Sequence, residues 1–298
     1  MRHVRIFHNS PRILRIIAQV LRSKLLPGII CLSAFVGCGT TGETEIELLN
    51  STETVINDFS VAGEMDEGVS AGFNLDGLVS DFPDGRSCYQ QDFRDENGLE
   101  GIDNALAKLL PLIDLAGEGA LEGLLQEAIT EGRLLLIFRL EELTNGQFNI
   151  SLLRGQDTPI LGTDGLVLRS QTLALHEDPN LARFENVTIE NNILRAGPGK
   201  LHLPVIIFNI LYELDVENGY IEFELNDTGD IVSGKMGGSV TREQVMQLAT
   251  TAAGRTKGLQ QLLSGGIDDA ADLDPDTTGE CQSLSMAVTF AGVQVFTF

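Results

Sequence analysis

The sequence predicts a mainly β, α+β protein: an antiparallel β-sandwich-like domain with a helical pair inserted early and a short helical segment near the C-terminus. Three observations predict it. From Leu134 onward apolar residues mostly alternate with polar ones in short runs, the period of strands with one buried face. Between residues 101 and 132 the apolar spacing becomes helical. Thr241-Arg242-Glu243-Gln244 has the form of a capping box, which starts a helix within the strand-rich half.

The chain of 298 residues opens on an export pattern. Residues 1–24 carry six bases (Arg2, Arg5, Arg12, Arg15, Arg22 and Lys24) and no acid. An apolar run from Leu25 to Val36 follows, then Gly37 and Cys38. A basic head, a short apolar core and a small residue before the cut mark a secretory signal. The run holds about 12 residues and Pro27, where a membrane span needs roughly 20. Phe35-Val36-Gly37-Cys38 resembles the lipobox of bacterial lipoproteins. The resemblance implies that residues 1–37 are a signal peptide and that Cys38 becomes the lipidated N-terminus. Residue 39 is Gly, not the Asp that favours inner-membrane retention in such proteins. The expected location is therefore the outer membrane, on its periplasmic or cell-surface face. Residues 38–45 read as a tether, and 46–298 as a single β-rich domain.

Cleavage would remove six of the 20 bases and none of the 43 acids, taking the net charge from −23 to about −29. Such a chain is repelled by nucleic acid, which the sequence excludes as a partner. Its expected contact with the membrane is through the N-terminal lipid, and its ligand an unidentified protein or glycan. Of four cysteines, Cys31 leaves with the signal and Cys38 carries the lipid. Cys88 and Cys281 remain as a pair in an oxidising compartment, and are expected to form a disulfide.

Along the domain, residues 46–87 are acidic and Gly-rich and hold one or two strands, with a turn at Phe82-Pro83-Asp84-Gly85. Asp103 is placed to cap a helix carrying Leu106, Leu109 and Leu110, which Pro111 kinks or ends. Leu121, Leu124, Leu125, Ala128 and Ile129 form one stripe on a second helix, closed by Gly132. That stripe is expected to face the core. Strands are expected at 134–138, 148–152, 166–168, 184–194 and 200–205. Ile210, Tyr212, Leu214 and Val216 alternate before Asn218-Gly219, and Ile221, Phe223 and Leu225 alternate after it, the pattern of a hairpin. After the capping box and a short helix near 259–263, residues 265–279 read as a mobile acidic loop. Strands then close the domain.

Chemistry-bearing motifs are few. Asp92, Asp95, Asn97 and Asp103, with Gly98 between them, resemble an oxygen-rich Ca²⁺ loop. The spacing departs from the EF-hand pattern, and the alternative is a polar turn leading into a helix capped by Asp103. Asp268, Asp269, Asp272, Asp274 and Asp276 are a second acidic group, read as a solvated linker. No cofactor other than Ca²⁺ is suggested. His176 stands in a polar stretch and His202 in a strand; neither has a second histidine at ligand spacing. No nucleophile elbow, phosphate loop or dinucleotide fingerprint is present.

The segment from Cys88 into Gly101-Ile102-Asp103-Asn104, the helix pair, Gly237-Gly238 before a helix and the late cysteine resemble uncharacterised lipoproteins of the myxobacterial type. That likeness implies no known activity. The sequence thus favours a non-enzymatic, lipid-anchored binding or structural module. The alternatives are a calcium-dependent adhesion or carbohydrate-binding module, and an extracytoplasmic hydrolase with His176 as its first suspect.

Overall fold

The computed structural model describes residues 48–81, 88–117, 121–207, 210–254 and 257–298. The signal, the lipobox, the tether and the turn at Phe82–Gly85 lie outside them.

Most of the described chain forms one antiparallel sheet. Its main path runs β10 (Ile189–Glu190), β11 (Ile193–Ile207), β12 (Ile210–Leu225), β13 (Ile231–Thr241), β15 (Cys281–Thr297), β1 (Leu48–Val61), β6 (Leu135–Leu143), β7 (Phe148–Gly155) and β9 (Leu175–Val187). Two short strands, β8 (Thr172–Leu173) and β14 (Leu273–Pro275), add to β15. A small separate sheet holds β2 (Glu64–Asp66), β3 (Val69–Ser70), β4 (Phe93–Arg94) and β5 (Glu100–Ile102).

The large sheet curls until its two ends meet. Gly199 on β11 lies against the Phe184 ring of β9, where a Cβ would come within 2.5 Å of the ring. No hydrogen-bond ladder joins β9 to β11 among the described residues. The opposed walls share one apolar core. Phe138 of β6 packs against Phe223 of β12 at 5.1 Å and Phe290 of β15 at 5.3 Å between ring centroids. β6 and β12 are separated by three strands in the sheet, so these rings touch across the interior. Gly234 on β13 leaves room for them; a side chain there would strike the Phe290 ring. The glycine-rich stretch at 234–238 is thus a place of close approach within a strand.

The four helices among the described residues gather at one end of the curled sheet. Antiparallel pairing sets the end of β1 beside the start of β6, and the end of β13 beside the start of β15. Both of those connections carry helices: α1 (Ala105–Gly117) and α2 (Leu121–Thr130) in the first, α3 (Arg242–Ala253) and α4 (Lys257–Ala270) in the second. The early helix pair and the Thr241 cap agree with expectation, but the reciprocal half of the capping box does not form, since Gln244 Oε1 has no hydrogen-bond partner among the described residues. Gly132, at φ +76°, ends the α2 segment, and Thr241 accepts a hydrogen bond from the Gln244 backbone N–H.

The structure differs from expectation in several places. The chain does not turn at Asn218-Gly219; β12 runs straight through, and the hairpin partner is β11. Asn218 (φ +50°) and Gly219 form a bulge, because the inward set changes from even numbers (Leu214, Val216) to odd ones (Ile221, Phe223). One extra residue shifts that parity without reversing the chain. Of the two outcomes expected at Pro111, ending the helix is ruled out, since α1 continues to Gly117. Residues 265–279 are not a loop throughout, since α4 runs to Ala270. Leu263, Ile267 and Ala270 supply its buried face, and Gly266 fits where a Cβ would meet Leu112 at 2.6 Å. Finally, Asp103 does not cap α1. The first amide of α1, on Ala105, donates to Ser285 Oγ of β15 at 2.6 Å, so the cap comes from across the fold.

Candidate functional site

The helical layer and the sheet have separate cores. Leu109 of α1, Ile267 and Ala270 of α4, and Cys281 and Leu284 of β15 pack as one cluster. The curled sheet fills with another, centred on the phenylalanine rings. Between the two lies a cavity of about 230 Å³. Leu136, Leu203, Leu214 and Val288 line it from the sheet, and Leu109, Leu124, Leu248 and Leu263 from the helices. Of the α2 stripe, Leu125, Ala128 and Ile129 are buried, and Leu121, Leu124 and Leu125 border the cavity.

Among the described residues, Ser285 is the one polar residue lining the cavity. Its hydroxyl donates to Asp272 and accepts from the Ala105 amide, and its own amide donates to Asp272 Oδ1 at 2.8 Å. The described wall therefore offers no group free to bind or transfer a proton. Close-packed interiors seldom keep voids of this size. At roughly 24 cal/mol per Å³, an unfilled cavity of about 230 Å³ costs on the order of 5 kcal/mol. Apolar cavities stay dry and take up apolar guests.

Beside the helical layer stands a group of carboxyls. Asp272 is buried, and its desolvation raises its pKa to about 6 against the pull of the Ser285 hydrogen bonds. Asp103 is 4% exposed, and burial raises its pKa to about 8, with Asp76, Asp272 and Asp92 adding to the rise. The Leu75 amide, 2.6 Å from Asp103 Oδ2, pulls the other way. Asp92 is also raised, mainly by burial, and accepts from the Ser80 amide at 2.6 Å. Of the four residues proposed for calcium, Asp92 and Asp103 thus approach each other. Asp95 and Asn97 are drawn elsewhere: Asp95 Oδ1 accepts from the amides of Asn97 and Leu99 within the β4–β5 turn. In the second acidic group, Asp268 and Asp269 lie on α4, Asp272 is buried, and Asp276 accepts from the amides of Thr278 and Glu280. Among the described residues no group of three or more His, Cys, Asp or Glu side chains is arranged to hold a metal.

These carboxyls have a consequence for stability. A folded pKa above the ordinary value near 3.9 means that the folded chain holds protons which the unfolded chain releases. Stability is then greatest at low pH and falls as pH rises, up to about 6 for Asp272 and about 8 for Asp103. Asp103→Asn keeps an acceptor for Leu75 and removes the charge. It is expected to shrink the difference between urea midpoints at pH 5 and pH 8.5; an unchanged difference would remove Asp103 as its cause.

The remaining sequence-selected residues are dispersed. Cys88 and Cys281 are paired, their Cα atoms 5.9 Å apart. His202 is exposed and sits 2.6 Å from Asp215. His176 opens β9, with Asp178 its hydrogen-bond partner. Cys38 is outside the described residues. The sequence reading missed the cavity, because a leucine stripe looks the same whether it meets a core or borders a void. The chain matches no known family model, no curated protein and no solved structure.

Proposed function

We propose that this is an exported, lipid-anchored, non-enzymatic binding protein that holds an apolar chain between its curled sheet and its helices. The cavity carries the proposal: its described lining is apolar on every side, and the one hydroxyl in that lining is engaged. The basic, apolar and Cys38 pattern supports the anchor. Cys38→Ser should move the protein out of the membrane fraction.

Burying a methylene is worth about 0.8 kcal/mol, or nearly fourfold in affinity. Calorimetric titration with straight-chain alcohols should show affinity rising about fourfold per added carbon and levelling once the cavity is full. Affinity that ignores chain length, or no binding up to the solubility limit, would sink the proposal.

A further inference from the structure

We infer that the bound ligand is an anionic amphiphile, with a carboxylate or phosphate head held by Arg154 at the mouth of the apolar cavity. The inference rests on the proposed binding of an apolar chain and adds the chemistry of the head.

A polar cleft of about 510 Å³ opens at the helical end of the curled sheet. Arg133, Arg154, Gln156 and His176 line it, together with Ile206 and Leu211. Ile206 also lines the apolar cavity, so the two spaces adjoin. The cleft sits where the start of β9 and the end of β11 are not joined by a ladder, the gap through which a chain could enter.

Arg154 is set toward the interior by register. Ile150 pairs with Leu140, Leu152 with Phe138 and Arg154 with Leu136. Directly opposed residues in an antiparallel pair share a face. Leu136 lines the cavity, and Phe138 stacks in the interior. Arg154 therefore continues the inward-facing row of β7 at its last turn of the pleat.

Its charge is also unmatched. Elsewhere, Arg139 pairs with Glu53, Arg169 with Asp230, Arg183 with Glu141 and Arg195 with Glu222. Arg154 has no carboxylate partner among the described residues. Glu131 also faces the cleft but is engaged by Arg133 at 2.7 Å. In a chain of net charge −23, an arginine on the inner face without an acid beside it marks a place for an external anion. Guanidinium matches carboxylate and phosphate through two parallel hydrogen bonds. A head at Arg154 would leave its chain directed past Ile206 and Leu136 into the cavity.

The test titrates the purified protein with dodecanoate, dodecyl phosphate, dodecanol and inorganic phosphate, using wild type and Arg154→Ala. The two anionic amphiphiles should bind wild type more tightly than dodecanol does. Arg154→Ala should weaken them roughly ten- to hundred-fold, the scale of a charged hydrogen bond, and leave dodecanol unchanged. A larger loss for one of the two anions identifies the head. Equal affinity of wild type for dodecanoate, dodecyl phosphate and dodecanol would overturn the inference while leaving chain binding intact. Equal losses for anions and alcohol in the variant would overturn it too, as a general effect on the fold. Phosphate binding without any amphiphile binding would overturn both the inference and the proposal beneath it.

Discussion

Replacing Cys88 and Cys281 together by alanine is expected to lower the unfolding free energy by about 5 kcal/mol. The two residues lie 193 apart in sequence, and closing so long a loop removes much of the unfolded chain's freedom. The benefit has a local side as well. Cys281 begins β15 and is buried with Ala105, Leu109 and Ile267, so the bond ties the segment entering α1 to the strand that carries Ser285. Without it, the helical layer is held by the Ser285–Asp272 hydrogen bonds and its small apolar cluster. Urea unfolding of the oxidised wild type and the double variant measures the difference. A loss under about 1 kcal/mol would mean that the loop model fails here, for instance because the unfolded chain keeps these segments together. A loss accompanied by weaker alcohol binding would show that the bond also holds the cavity shut.

Local signals in the sequence survive in the structure. The Thr241 cap, the buried part of the α2 stripe (Leu125, Ala128 and Ile129) and Gly132 depend only on near neighbours, and they form as the spacing predicts. What escaped depends on distant partners. Gly265-Gly266 looks like a break, but Leu112 on another helix occupies the space a side chain would take, and helix α4 continues. Asn218-Gly219 looks like a turn, and the even-to-odd change between Val216 and Ile221 suits a two-residue hairpin as well as a bulge; only the pairing of β12 with β11 and β13 separates the two. Asp103 looks like a cap because it precedes a helix; Ser285, 180 residues away, takes that role. Arg154 carried a faint signal. It shares parity with Ile150 and Leu152, which places it on the inner face, but a charged residue at the end of an apolar run reads more simply as the strand's exit. The cavity had no local signal at all, since it is defined by four helices and a sheet that curls.

Phe138→Ala is expected to cost about 3–5 kcal/mol and to lengthen the chain that binds best. The cost follows from burial: Phe138 is fully enclosed, and its ring bridges Phe223 and Phe290 across the interior. Truncation removes those contacts and leaves a void that the surrounding strands cannot close. The effect on binding follows from register. Leu136 lines the cavity, and Phe138 is the next inward residue on β6; Val288 and Phe290 stand in the same relation on β15. The rings therefore form the floor beneath a bound chain. Opening that floor should let a longer alcohol or amphiphile bury its end and recover part of the lost stability. Thermal unfolding with and without alcohols of increasing length reads both effects in one experiment. In wild type the stabilisation by ligand should level at a shorter chain than in the variant. If stability falls but the optimal length stays fixed, the floor lies elsewhere. If stability barely changes, the three rings do not carry the core as their packing implies.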